Sequence, residues 1–363
     1  MKVIYFYRGD RYGGVEKLLV DLFDYQSVLD PGELESVFVL CYEGNLSVEL
    51  EKRGAIVEFV SAPQLNKPWT LVPVFFQFWK ILKKYNSQVI VSHEIWNHVV
   101  AWPIEKFFSI KSVLWIHSSK FRFDQPLYRY LKLWPPDIAI CTSRHVRNDV
   151  LQLWPGLKAD FLYHPYAKPQ LGPKQASPNS TVTLTYVGRM VEYKGLADAI
   201  EALGLIRDLD FRFVVVGDSQ TESEKDFKAR NIARVQDLGL SGKVDFVGFQ
   251  ENVFDCLLAA DVFVHPNKLP EPLGLVFMEA LFSEIPVVAT DIGGAKEILG
   301  MQPKKMGDLV PPNDAKALSL VLKKYIEDED YRSQITNNIK QGFINSFDPK
   351  KSMKKLSLTL QSL

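Results

Sequence analysis

Glu271 and Glu279 stand with seven residues between them around a Pro-Leu-Gly turn, in the stretch LPEPLGLVFMEALFSEIPVVATDIGGAKEIL from Leu269 to Leu299. The turn ends at Gly274, and the amides of Gly274, Leu275 and Val276 begin a helix whose first N–H groups lack intrahelical acceptors. Those groups and the positive end of the helix dipole favour an anion such as phosphate. Glu279 lies inside the helix, roughly one turn of about 3.6 residues further on. Carboxylates accept hydrogen bonds, so neither acid suits the phosphate, and both suit hydroxyl groups. Two hydroxyl clamps around a phosphate site describe a ligand with sugars on both sides of a diphosphate. The alternative makes LGLVFMEALF an ordinary amphipathic helix with Glu279 on its solvated face.

Further charges and turns bear on the same chemistry. Arg189 follows the strand-like TVTLTYVG and Lys194 opens the next helix, so two cations can converge where ligands of open α/β sheets bind, at the carboxyl ends of the strands. Fixed cations there stabilise negative charge growing on a leaving phosphate. Two solvated charges near a turn are the other reading. Gly13 and Gly14 follow KVIYFY in RGDRYGGVEKLLVDLF and start another helix with free amides. Gly217 follows FRFVVV, where a close approach of backbone is expected. Phe249 follows VDFVG and either packs beside a base or fills the core. His117 ends SVLWIH and His93 ends QVIVSH, each either facing a ligand or satisfied within the fold.

The remaining histidines, His98, His145, His164 and His265, have no metal-ligand spacing, so neither a metal nor another cofactor is expected. Asp208-Leu209-Asp210 and Glu327 to Asp330 contain DxD-like spellings, yet neither follows a strand end, and both read as solvated faces. No GxGxxG fingerprint and no GxxxxGK phosphate loop is present, which argues against a dehydrogenase or a kinase.

Positioning these residues requires strands that alternate with helices. The runs KVIYFY, SVFVLCY, AIVEFV, QVIVSH, SVLWIH, DIAICTS and FLYHP read as strands of a first parallel sheet. TVTLTYVG, FRFVVVG, VDFVGF, DVFVHP and PVVATD read as those of a second. Pro169, Pro173 and Pro178, among Gly, Ser, Gln and Asn, mark a linker between them. The expected fold class is α/β, with two facing Rossmann-like doubly wound domains and a cleft between them. A first domain spans 1–165, the linker 166–180 and a second domain 181–345, with a C-terminal helix in 346–363 that could pack back on the first domain.

The 363 residues suit two domains of ordinary size. Hydrophobic residues make up 47% and charged residues 24%, a soluble globular balance. Lys plus Arg and Asp plus Glu both total 43, so no basic excess points to nucleic acid and any anion site is local. Cys41, Cys141 and Cys256 lack CxxC spacing and read as reduced core residues of a cytoplasmic protein. No signal peptide or spanning segment is expected. The segment from Trp69 to Lys84 combines Phe75, Phe76, Phe78 and Trp79 with Lys80, Lys83 and Lys84, a makeup that fits peripheral contact with the inner face of a membrane or a core helix with a lysine-rich end.

The Leu269–Leu299 stretch resembles the donor-binding signature of the family 4 retaining glycosyltransferases of GT-B fold, in which two glutamates at this spacing are followed by a strand and a Gly-Gly turn, here Gly293 and Gly294. The resemblance covers nearly the whole chain and is specific from Tyr186 to Leu299. It implies that Glu271 holds hydroxyls of the transferred sugar, Glu279 the ribose, and the amides of Leu275 and Val276 the diphosphate. It likewise implies a diphosphate grip by Arg189 and Lys194, a donor-sugar contact by His117, and a donor-phosphate or acceptor role for the Gly13–Gly14 loop. Arg189, Lys194, Glu271 and His117 would then carry catalysis, with Gly14, Gly217, Phe249 and Gly274 lining the donor. One departure stands out: His164, Pro165 and Tyr166 replace the Asn-Gly that family members often carry after the last strand of the first domain.

The implied function is metal-independent, retaining transfer of a hexose from a UDP-sugar or other nucleoside-diphosphate sugar to a hydroxyl of a saccharide or lipid-linked saccharide. No protein nucleophile is evident, and in the family's usual account the departing phosphate takes the acceptor proton. Three alternatives remain open. A nucleotide-sugar epimerase of similar architecture would turn over donor without acceptor, and a glycogen-phosphorylase-like enzyme would need a cofactor lysine. A non-catalytic nucleotide-sugar-binding protein would bind donor without releasing nucleoside diphosphate.

Overall fold

In the first half of the chain, runs of Val, Ile, Phe and Tyr form β1 (Lys2–Tyr7), β2 (Glu35–Leu40), β3 (Ile56–Phe59), β4 (Val89–His93), β5 (Lys111–Ile116), β6 (Ile138–Cys141) and β7 (Ala159–Phe161). They pair in parallel in the order β3-β2-β1-β4-β5-β6-β7. Side chains alternate across a strand, so Val3 and Tyr5 enter one apolar core while Ile4 and Phe6 enter the core on the opposite face. Burial on both faces explains why these strands read as continuous apolar runs. In this computed structural model the described residues are 1–10, 13–118, 131, 133–166, 169–172, 181–300, 304–343 and 347–363.

The second half supplies β8 (Val182–Val187), β9 (Phe211–Val216), β10 (Val244–Gly248), β11 (Val262–His265), β12 (Val287–Thr290) and β13 (Gly307–Val310). These too are parallel, in the order β10-β9-β8-β11-β12-β13. Each sheet reverses its strand order beside its own first strand, between β1 and β4 and between β8 and β11. Connections leaving the carboxyl ends diverge there and leave a crevice.

The chain divides into unit 1, Met1–Ala167 with Phe347–Leu363, and unit 2, Lys168–Ser346. The helix Pro349–Gln361 belongs to unit 1, where Met353, Leu356 and Leu360 are buried in the core that holds Val3 and Tyr5. Lys355 fixes it further through Asp160 at 2.9 Å.

Two strands differ from the reading of the sequence. FLYHP is shifted: β7 ends at Phe161 instead of starting there. β13 went unanticipated because GDLV is short and half-buried at the sheet edge, with no apolar run to mark it. Its Gly307 is sterically required, since a β-carbon there would lie 1.9 Å from the Val287 carbonyl oxygen. Residues 167–168 and 173–180 of the expected linker lie outside the described residues, as do Arg11 and Tyr12 of the first glycine loop. Of the acidic decoys, Asp328 caps the helix Glu329–Gly342 by accepting from the Tyr331 amide at 2.8 Å, and Asp210 accepts from the Thr181 hydroxyl at 2.9 Å.

Candidate active site

The loops after β8 and β11 are locked together in unit 2. Gly195 has φ +75°, and a β-carbon on it would fall 1.8 Å from the Pro266 carbonyl oxygen, so the turn carrying Lys194 lies directly on the loop leaving β11. The Lys268 amide donates to the Tyr193 carbonyl at 2.8 Å and closes the same contact. Lys194 Nζ is thereby brought to 2.5 Å from Glu271 Oε2, with side chains 15% and 21% exposed. A pair this open to solvent still reaches a ligand. Lys194 has three donors, so it can keep Glu271 and add a phosphate oxygen.

Gly274 has φ +82° and starts the helix Leu275–Phe282, with no side chain capping it. A larger residue would strike the Phe277 ring at 2.4 Å. The first helical amides, Leu275 and Val276, are left for a ligand. Glu279 is partly buried in this helix. Gly293 and Gly294 act one step away. The Gly294 amide donates to the Glu271 carbonyl at 2.7 Å, and β-carbons on Gly293 and Gly294 would lie 2.6 Å from the Glu271 oxygen and 2.1 Å from the Leu273 oxygen. The glycine pair thus lets the helix Gly293–Gly300 clamp the Glu271 loop from behind.

Arg189 is half exposed, donates to the Tyr193 hydroxyl at 2.7 Å and lies 3.7 Å from Glu224. Gly217, with φ +129°, also acts through backbone approach: a β-carbon there would meet the Gly188 carbonyl oxygen at 2.0 Å, just before Arg189. Phe249 is 75% exposed, which removes the core reading of this residue. Below the site, Tyr186 and His265 are fully buried and stacked at 5.0 Å, and burial pushes the tyrosine up and the imidazole well down. Cys41, Cys141 and Cys256 are free, and only Cys141 is fully buried.

In unit 1, Gly13 is the cap of the helix Gly14–Asp24, and a β-carbon on Gly14 would meet nothing within 4 Å. The first turn of this helix already holds a carboxylate, because buried Glu16 accepts from the Tyr7 hydroxyl at 2.7 Å. A second phosphate is less welcome here than at Gly274. His93 Nδ1 and His117 Nε2 are 2.9 Å apart at the ends of β4 and β5. Burial lowers both imidazoles, His117 to about 3, with His164 nearby adding to the effect. His164, at the departure from the family pattern, is buried against Asp21 Oδ2 at 2.7 Å.

The family model described as glycosyl transferases group 1 matches residues 168–342, the stretch that carries the Lys194–Glu271 pair. Over these residues, just under half of the chain, the protein is similar to the group 1 glycosyltransferases. LpsE of Rhizobium meliloti (strain 1021), a lipopolysaccharide core biosynthesis glycosyltransferase, is 29% identical over 48% of this chain and 48% of its own length. TuaC of Bacillus subtilis (strain 168), a glycosyltransferase assigned to teichuronic acid biosynthesis, is 30% identical over 49% of this chain and 41% of its own. The chain thus spans about half the length of these relatives. The crystal structure of Anabaena HepE in complex with UDP and glucose matches the fold over 100% of both chains, with a TM-score of 0.82 and 20% identity.

Within the matched region, three supporting residues escaped the reading of the sequence. Glu224 is buried beneath Arg189 from a helix otherwise rich in solvated charge, so nothing in its pattern separates it from its neighbours. Tyr193 and Gly195 flank Lys194, and their value lies in contacts with Arg189 and Pro266. The Lys-Gly spelling was the one available signal.

Proposed function

We propose that the protein is a metal-independent, retaining glycosyltransferase of the family 4 type that moves a hexose from a UDP-sugar to a hydroxyl of a glycan or lipid-linked saccharide. The observation that carries this reading is the Lys194–Glu271 pair at 2.5 Å, which joins a phosphate-binding cation to a hydroxyl-accepting carboxylate beside the uncapped helix start at Gly274. Lys194 and Arg189 stabilise the departing diphosphate, and they supply the charge that a divalent ion supplies elsewhere. Glu271 and Glu279 orient hydroxyls of the hexose and the ribose. The departing phosphate takes the acceptor proton. In unit 1, open space at Gly14 leaves room for acceptor hydroxyls, and the buried Glu16 carboxylate in the same helical turn disfavours a second phosphate. The names of LpsE and TuaC support a role in cell-envelope polysaccharide synthesis, and the UDP and glucose in the HepE crystal support the donor.

The same reading has the protein work at the inner face of a membrane. Trp69 and Phe107 are 68% and 71% exposed, and Phe75 and Phe76 rim a groove of about 250 Å³ with Pro103 and Ile104. No helix among the described residues is long and apolar enough to cross a bilayer, so contact through this patch would be peripheral. Thermal unfolding with UDP-, GDP- and ADP-sugars tests the donor, because a ligand of the folded state raises the melting temperature. Stabilisation by UDP-sugars, followed by UDP release only when acceptor saccharide is added, is the expected result. A flat response to all three, or release of an epimerised sugar, removes the proposal.

A further inference from the structure

His93 and His117 leave adjacent strands, and the register of β4 on β5 sets His93 opposite Trp115. The imidazole of His93 stacks on Trp115 at 5.3 Å and on His117 at 5.1 Å, with interplanar angles of 20° and 11°. His93 is fully buried, and its Nε2 has no hydrogen-bond partner among the described residues. Both rings are held neutral by burial, so each carries one N–H.

Only one proton fits between His93 Nδ1 and His117 Nε2. If His117 supplied it, His93 would have to carry its own proton on Nε2, leaving a buried N–H without an acceptor. An orphaned buried donor is the rarer state in folded proteins. The proton therefore belongs to His93 Nδ1, the unpartnered Nε2 is a bare lone pair, and His117 carries its N–H on Nδ1. That is the ring nitrogen His93 leaves open, on a side chain that is only partly buried by its surroundings.

We propose that His93 is a positioning residue whose Nδ1–H fixes the tautomer and orientation of His117, so that His117 offers an Nδ1–H donor to a saccharide hydroxyl bound by unit 1. The contact with a saccharide rests on the function proposed above, whereas the tautomer does not. Replacing His93 with Phe keeps the stack on Trp115 and removes the hydrogen bond. Replacing it with Asn returns an amide N–H near the position of Nδ1.

Nitrogen-15 spectra of the full-length protein at pH 7 read the tautomer without any ligand. The expected result is a protonated Nδ1 and a bare Nε2 on His117 in the wild type and in His93→Asn, and a mixture of tautomers in His93→Phe. A bare Nδ1 on wild-type His117, or a spectrum unchanged in His93→Phe, overturns the assignment. Turnover of UDP-hexose should fall about tenfold in His93→Phe, the worth of roughly 1.4 kcal/mol, and recover in His93→Asn while UDP affinity stays constant. Equal turnover in all three proteins overturns the positioning role. Failure of UDP to bind the wild type counts against the proposed donor and leaves the tautomer result standing.

Discussion

The crevice of unit 2 is shaped by backbone against backbone, and that of unit 1 by side chain against side chain. Gly195, Gly217, Gly293 and Gly294 each sit where a β-carbon would strike a carbonyl oxygen at 2.6 Å or less, so the loops bearing Arg189, Lys194 and Glu271 are held by contacts with no slack. At the corresponding place in unit 1, Gly14 faces open space and the strand ends are joined by stacked rings of His93, Trp115 and His117. On the function proposed above, these backbone contacts fix a site for a ligand of constant geometry, the nucleoside diphosphate. Stacked side chains can be exchanged for others of like shape without disturbing the sheet, which on the same proposal suits a variable saccharide.

The sharpest way to break this contrast is to add a methyl group. Gly217→Ala should destabilise unit 2 by roughly 3 kcal/mol, whereas Gly14→Ala should change unit 1 by no more than about 0.5 kcal/mol, both read from urea unfolding. Equal effects would erase the distinction. Lys194→Ala should next lower turnover by about 10²- to 10³-fold with little change in melting temperature, as expected for loss of a donor to a developing oxyanion. Unchanged turnover in a steady-state assay would remove its catalytic role. Turnover should persist in the presence of EDTA if Arg189 and Lys194 carry the charge.

A smaller effect concerns the apolar side of unit 1. Burial, with the Asp137 charge adding to it, raises the Glu105 carboxyl from 4.5 to about 8, while burial lowers His98, whose Nδ1 lies 4.0 Å away, from 6.5 to about 4. Between 4.5 and 8 the folded state keeps a proton on Glu105 that the unfolded chain releases, so stability declines as pH rises through that window. His98 acts in the opposite sense between 6.5 and 4, because there the unfolded imidazole takes up a proton that the folded one refuses. The two slopes oppose each other between 4.5 and 6.5, which leaves 6.5 to 8 as the clear window. There the wild type should lose up to about 1.4 kcal/mol per pH unit, and Glu105→Gln should flatten the decline in chemical unfolding. The smallest effect is expected at the aromatic patch, where Trp69→Ser with Phe107→Ser should weaken binding to anionic lipid vesicles roughly fivefold in a flotation assay.

The contrast also explains what could be read without coordinates. Strands buried on both faces announce themselves as apolar runs, so the two sheets were legible, while β13 carries Gly and Asp at a half-buried edge and was silent. Lys194 and Glu271 could be assigned to strand ends from local pattern alone. Their pairing could not, because they lie 77 positions apart in the chain and the contact depends on how Gly195 meets Pro266. Gly293 and Gly294 were legible as a motif but not as a clamp on the Glu271 loop. In unit 1, His117 could be singled out by its place after a strand. The importance of His93 arises from its ring stack, which leaves no periodic trace in sequence.

The helix Pro349–Gln361 has a consequence for the order of events during synthesis. Unit 2 is continuous in the chain and can fold as soon as its residues have left the ribosome. Unit 1 begins emerging first, yet its β-strands wait with the surface around Val3 and Tyr5 uncovered until Met353, Leu356 and Leu360 arrive. Unit 1 therefore starts before unit 2 and is sealed after it, and any chain released before Phe347 carries an open apolar face for chaperones to recognise.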